Sequence, residues 1–197
     1  MPKNIKSTIS MKLPIYVYGE PVLRKKAEDI TASYPDLKQL IENMFETLTN
    51  ADGVGLAAPQ IGLSIRLVVI DLSSLADEDP KYKDFKKAYI NGHILESSEE
   101  TCSMGEGCLS IPGLHENVVR PERVHIKYVD ENFEEKDEWV DGFLARVVQH
   151  EFGHLEGELY TDKISPLRKQ LISRKLKSIA HGKYSCTYKT KFNRHHL

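Results

Sequence analysis

Two histidines one helical turn apart in an otherwise apolar stretch constrain this chain more than any other feature. His150-Glu151-Phe152-Gly153-His154 follows Phe143, Leu144, Val147 and Val148 and precedes Leu155. Four helical residues rotate the chain by about 400°, so both imidazoles project from one face and can grip a single cation. Glu151 is turned about 100° from His150, beside such a cation rather than on it, where a general base for bound water must sit. The competing reading is a pair of surface histidines on an amphipathic helix. The apolar neighbours oppose it, because a segment this greasy belongs inside, with other layers covering it.

Those layers are legible in outline. Leu37, Leu40, Ile41, Met44, Phe45 and Leu48 fall on one helical face. Ser33 and Pro35 suit the entry to that helix and Asn50-Ala51-Asp52-Gly53 its exit. Short β-like runs follow at 65–70, 88–95 and 124–129, with a further strand around 138–140. The polar stretch 71–87 reads as a surface excursion. The histidine helix should span about 143–156, stopped by Gly157. A third begins at Ser165-Pro166, an N-cap followed by proline at the first helical position, and ends before Gly182. Helices flanking short strands without βαβ alternation predict an α+β fold: short antiparallel sheets packed around a central metal-binding helix, with an N-terminal and a C-terminal helix.

At 197 residues the chain is sized for one domain. Its 27 basic and 29 acidic side chains leave a net charge of -2, which argues against a surface built throughout for DNA or anionic lipid. No apolar run approaches the roughly 20 residues of a membrane span, and the start, MPKNIKSTIS, lacks the apolar stretch of a secretory signal. Cys102, Cys108 and Cys186 cannot form a disulfide framework and fit a reducing, cytoplasmic compartment. The charge is uneven, however. From Lys163 onward the sequence carries ten Lys or Arg and no Asp or Glu, so the remainder carries -12. Such a stretch is either a solvated helix face or a contact for a polyanion such as RNA.

Two histidines do not hold a catalytic metal firmly, and a third protein ligand is required, with one position left for water. Cys102, Cys108, His115, His125 and several carboxylates are candidates. Cys108 lies in Glu106-Gly107-Cys108-Leu109-Ser110, with glycines at 105, 107 and 113 permitting close backbone approach; a small buried hydrophobe is the alternative for it. The segment Gly53-Val54-Gly55-Leu56-Ala57-Ala58-Pro59-Gln60-Ile61-Gly62 fits a dinucleotide fingerprint only formally, since it follows a helix and runs into Pro59. It reads instead as a glycine-rich loop bringing backbone and Gln60 close to something.

Taken together, GVGLAAPQIG, EGCLSIPG and QHEFGHLEG, in this order and spacing, strongly resemble the three signature motifs of the peptide deformylases. The resemblance runs from about Leu13 to Asp162, includes Val22-Leu23-Arg24, and fades in the basic tail. It implies an enzyme of protein biosynthesis and N-terminal processing that removes the formyl group from the N-terminal formylmethionine of nascent proteins and releases formate. It implies Cys108, His150 and His154 as ligands of one divalent metal, Fe(II) in the family, with Zn, Ni or Co as substitutes. Ligand chemistry alone does not select iron. The resemblance further implies Glu151 as general base for a metal-activated water, and the Gln60 amide and Leu109 N–H as oxyanion donors. Val54, Gly55, Leu109, Phe143, Arg146 and Val147 match substrate-pocket positions, Gly55 through its backbone and Arg146 through its stem at the entrance. Arg120 and Glu106 are expected to pair and brace the Cys108 strand.

The implied organisation is a leader or alternative-start extension at 1–10, a catalytic domain at 11–182 and a basic tail at 183–197, the basic segment from Lys163 touching the ribosome transiently. One departure stands out: most family members carry Asp where this chain has Gly153. A zinc peptidase built on the same helix is the nearest rival, and it would take His or Glu, not Cys108, as third ligand. A structural zinc module would close its site with four protein ligands.

Overall fold

The computed structural model describes residues 11–193; the expected leader at 1–10 lies outside them. Five strands form an antiparallel sheet in the order β2 (Gly55–Ala57), β3 (Leu67–Asp71), β4 (Lys86–Ser97), β7 (Arg123–Val129) and β8 (Glu135–Asp141). β5 (Thr101–Cys108) and β6 (Ile111–Pro121) make a separate antiparallel hairpin, and β1 (Ile15–Tyr16) pairs in parallel with β9 (Thr190–Lys191). Among the described residues there are three α-helices: α1 (Leu37–Asn50), α2 (Gly142–Leu155) and α3 (Pro166–Ala180). The α+β class, the antiparallel sheets and the central helix agree with the sequence reading. The parallel β1–β9 pair is an addition to it.

β3 explains how the layers are stacked. Its first four residues, Leu67 to Ile70, are all fully buried, which a strand achieves only when both faces of its sheet are covered. Alternate side chains go to opposite sides. Leu67 and Val69 join Met44, Phe45 and Leu48 of α1, whereas Val68 and Ile70 join Val148 and Phe152 of α2. The sheet is therefore clasped between the two helices, each buried aliphatic or aromatic side chain contributing about 1.5–3 kcal/mol. A third apolar cluster, with Ile111, Leu114, Val118 and Tyr160, lies beneath Ile172, Leu176 and Ile179 of α3.

Local signals place the helix ends as expected. Ser165 Oγ accepts the Arg168 N–H at 3.3 Å to cap α3, and Gly157, at φ +74°, follows the end of α2. α2 rests on the sheet because β4 carries no side chain at Gly92: a methyl there would come within 2.3 Å of the Phe152 ring. Within the stretch 71–87, residues 72–85 form an excursion with short 3-10 turns between β3 and β4, though Leu72 and Tyr82 in it are buried in the core. Among the described residues no helix is long and apolar enough to cross a membrane.

Candidate metal centre and substrate cleft

α2 supplies the base of the centre and the β5–β6 hairpin its roof. Leu109 and Ser110 form the two-residue turn of the hairpin, which sets Cys108 over the helix. Cys108 Sγ lies 3.3 Å from His154 Nε2, the two imidazole centroids are 5.2 Å apart, and one donor atom from each of Cys108, His150 and His154 falls within 4.8 Å of the others. Metal–ligand bonds of about 2.0–2.3 Å place neighbouring donors roughly 3–4 Å apart, so this trio suits one small cation. Among the described residues no other trio of His, Cys, Asp or Glu is gathered this way.

Of the other candidates for third ligand, Cys102 and His125 are engaged elsewhere and His115 is not gathered with the trio. Cys102 Sγ is 3.3 Å from Arg146 Nη2, and His125 stacks on Trp139 with centroids 5.2 Å apart. His115 lies across Gly107, where a methyl would come within 2.6 Å of its ring, and borders the cleft.

Glu106 does more than pair with Arg120. Arg120 grips it with two hydrogen bonds, Nε to Oε1 at 2.6 Å and Nη2 to Oε2 at 2.9 Å, and Arg146 Nη1 adds a third to Oε1 at 2.8 Å. Its Oε2 also lies 2.8 Å from His150 Nδ1. Holding the Nδ1 proton leaves the Nε2 lone pair for a cation and fixes the ring's orientation. Burial alone would raise the Glu106 pKa, but Arg120 and His150 outweigh it and keep the carboxylate ionised far below the usual range. Sequence reasoning foresaw the Arg120 contact and missed the one to His150, which joins residues 44 apart and leaves no local signal.

The titration behaviour of the two histidines fits a cation. Burial opposes a charge on His150, yet hydrogen bonds with Cys108 and Glu106 push its pKa up to about 10. Its proton answers the same negative charges that a metal ion would. Burial, then the charge on His150, holds His154 well below the ordinary imidazole value, which keeps its lone pair available. Glu151 is 4% exposed; burial raises its pKa to about 7 against the pull of His150, and its Oε2 has no protein partner. A carboxylate poised near neutrality with one unpaired oxygen can take up and release a proton.

The glycine-rich segment meets this centre directly. A methyl at Gly55 would lie 2.5 Å from Glu151 Oε1, so the bare backbone of β2 is what admits the carboxylate. Gln60 is 1% exposed, and its Oε1 accepts the Ala57 N–H at 2.8 Å. A backbone N–H can only donate, so the amide nitrogen must face the other way; it lies 3.2 Å from Ser110 Oγ and 3.5 Å from Cys108 Sγ. The cleft above the trio encloses about 360 Å³, with Val54, Leu109, Phe143 and Val147 among its apolar walls. Arg146 borders it too, but its guanidinium points into the hairpin, bonding the Val118 and Cys102 carbonyls at 2.9 and 2.8 Å. At Gly153 a methyl would meet only Glu158 Cβ, at 3.9 Å, so nothing nearby demands glycine.

A centre of this kind can polarise a carbonyl and activate water within reach of a base, which places the chain among the metal-dependent hydrolases. Comparison with known proteins narrows the class. Residues 12–170 match the family described as Polypeptide deformylase. A peptide deformylase of Flavobacterium johnsoniae is 51% identical over 189 residues, covering 92% of this chain and 96% of that protein. One from Salinibacter ruber is 45% identical over 182 residues, covering 90% and 93%. Among solved structures, a peptide deformylase from Legionella pneumophila superposes with a TM-score of 0.74 at 38% identity, covering 85% of this chain and 94% of that one. The enzyme from Thermotoga maritima gives 0.71 at 43%, covering 80% and 100%. The chain belongs to the peptide deformylase family, whose activity is removal of the N-formyl group, and the peptidase and structural-zinc readings fall away.

Proposed function

We propose that this chain deformylates N-formylmethionyl peptides with Glu151 as the proton carrier and Gln60 and Leu109 as oxyanion donors. The observation that carries the reading is the unpaired Glu151 carboxylate beside the Cys108–His150–His154 trio. A divalent cation held by these three residues supplies Lewis acidity, lowering the pKa of water and polarising the formyl carbonyl. Glu151 accepts the proton of the attacking water and returns it to the departing amine nitrogen. The water oxygen bonds to the formyl carbon first, and the tetrahedral adduct then collapses with cleavage of the C–N bond; the second water proton leaves with the products, giving formate and a protonated free N-terminus. The Gln60 NH₂ group and the Leu109 N–H are preorganised for the charge that develops on the formyl oxygen; one such donor is commonly worth about 10²–10³ in turnover. Val54, Leu109, Phe143 and Val147 offer the methionine side chain an apolar seat, Gly55 keeps the wall thin, and the Arg146 stem flanks the entrance.

Fe(II) is the proposed native metal on family grounds, the cytoplasm the proposed compartment, and the organisation into 1–10, 11–182 and 183–197 the proposed division of the chain. We further propose a transient ribosome contact through the basic segment. Its support is that α3 turns Ile172, Leu176 and Ile179 inward while Leu167, Leu171 and most of its cationic side chains face water. Reversing the charge of Arg174 and Lys177 together is expected to weaken salt-dependent co-sedimentation with ribosomes; unchanged, salt-insensitive sedimentation overturns that contact. The decisive test of the activity is anaerobic formate release from formyl-Met-Ala. Glu151→Ala is expected to abolish it with metal still bound, and Cys108→Ser to lose both metal and activity. Formate release by Glu151→Ala at the wild-type rate would falsify the assignment of the base.

A further inference from the structure

The segment after α3 is a built part of the cleft. It returns along the opposite end of the chain, where β9 pairs with β1 through Ile15 N–H to Lys189 O at 2.9 Å and Val17 N–H to Lys191 O at 3.2 Å. Its own contacts stiffen it: the Tyr184 hydroxyl donates to Thr190 Oγ1 at 2.7 Å, and Asn193 Nδ2 donates to Glu20 Oε2 at 3.0 Å. Between these clamps Tyr188 packs against the α1-side core and lines the cleft. Its hydroxyl donates to the carbonyl of Leu109 at 2.8 Å. Burial raises the phenol pKa above its usual value, so the group remains a donor at any physiological pH.

We infer that Tyr188 is a positioning residue for deformylation, fixing the Leu109-Ser110 turn so that the Leu109 N–H keeps its aim. The inference rests on the reading of Leu109 as an oxyanion donor. The turn must satisfy two demands at once, presenting the Cys108 sulfur on one side and a backbone donor on the other. A two-residue turn between glycine-rich strands has little stiffness of its own. Three tethers from outside the hairpin supply it: Tyr188 on the Leu109 carbonyl, the Tyr18 N–H on the Ser110 carbonyl at 2.7 Å, and Gln60 on Ser110 Oγ. Only the first fixes the peptide plane that leaves Leu109, and therefore the backbone angle that couples it to the preceding N–H. Misplacement by about 1 Å in a reacting constellation can cost on the order of 10²-fold, while a typical neutral hydrogen bond is worth a factor of roughly 3–10.

The test compares the metal-loaded wild type with Tyr188→Phe, which keeps the ring and removes only the hydroxyl, and with Tyr188→Leu, which also removes the aromatic wall. Tyr188→Phe is expected to lower kcat roughly 3–10-fold with KM within about twofold and an unchanged melting temperature. Tyr188→Leu should lower kcat and raise KM as well. In metal-free protein, amide hydrogen exchange at Leu109–Ile111 should quicken in Tyr188→Phe, while exchange in α3 stays as it was. A Tyr188→Phe enzyme with wild-type kcat overturns the inference. So does a fall in kcat that only tracks the loss of folded protein, or a change confined to KM. Wild-type formate release measured alongside separates the two failures: without it the deformylase assignment fails, and with it only the role of Tyr188 is at stake.

Discussion

Two carboxylates in this molecule are each held by more than one basic side chain, and their settings differ. Glu106 is 4% exposed, and its partners Arg120, Arg146 and His150 are at 8, 4 and 10%. The Asp162 side chain is 26% exposed, and those of its partners Arg24 and Lys169 are at 43 and 48%. The bonds are similar in kind, but water competes for one cluster and hardly for the other. An exposed pair gains little over hydration, whereas breaking a buried one strands charges that have no other partner. Glu106 thus makes three separate elements (β5, β6 and α2) interdependent. Asp162, which also accepts the Leu159 N–H at 2.9 Å, ties down a surface turn.

The contrast is sharpest for Glu106→Ala, which leaves two buried arginines without their counter-charge. A loss of about 3–5 kcal/mol in a urea melt is expected, together with about 10–100-fold faster metal loss to a chelator, because His150 loses the partner on Nδ1. Glu106→Gln keeps the shape and one accepting oxygen but turns the other acceptor into an NH₂ group facing N–H donors, so both effects should keep their sign and shrink only in part. Equal effects from the two variants would mean that charge, not shape, holds the cluster together.

Asp162→Asn should cost no more than about 1 kcal/mol and leave metal retention unchanged. Its pH signature is specific. Burial would raise the Asp162 pKa, but Arg24, the Leu159 N–H and Lys169 lower it to about 2. A depressed carboxylate pKa favours the folded state above the ordinary value near 4, and that contribution disappears as pH falls from there through about 2. Asp162→Asn should therefore flatten this acid limb, lowering stability by the same modest amount at every pH above about 4 and leaving it unchanged once the wild-type carboxyl is protonated below about 2. A variant that follows the wild type from pH 4 to pH 2 would remove Asp162 from that limb.

What could be read from the sequence follows from how local each feature is. The three helices announce themselves through apolar periodicity and through Ser165, Pro166 and Gly157, all within a few residues of the structure they control. The ligand trio was legible because His150 and His154 share a helix face and Cys108 sits in a motif. The β5–β6 hairpin escaped. The inward positions of β6 are Leu114, Glu116, Val118 and Arg120, so its buried face alternates apolar with charged, and β5 buries Glu106. A strand whose interior partner is a salt bridge carries no hydrophobic alternation to detect. The reason for Gly55 was also out of reach, because the side chain filling its space, Glu151, lies far along the chain. β1 and β9 are two residues each and meet only in three dimensions.

That last pairing carries a consequence for how the protein is made. Tyr188 is polymerised 79 residues after the Leu109 carbonyl it holds. A growing chain can bring sulfur and imidazoles together as soon as α2 has left the exit tunnel, well before the strand that braces their roof exists. Translation therefore delivers the metal trio first and its last wall afterwards, and an mRNA truncated within the codons for 183–188 would yield a polypeptide equipped to bind a cation beneath an untethered turn.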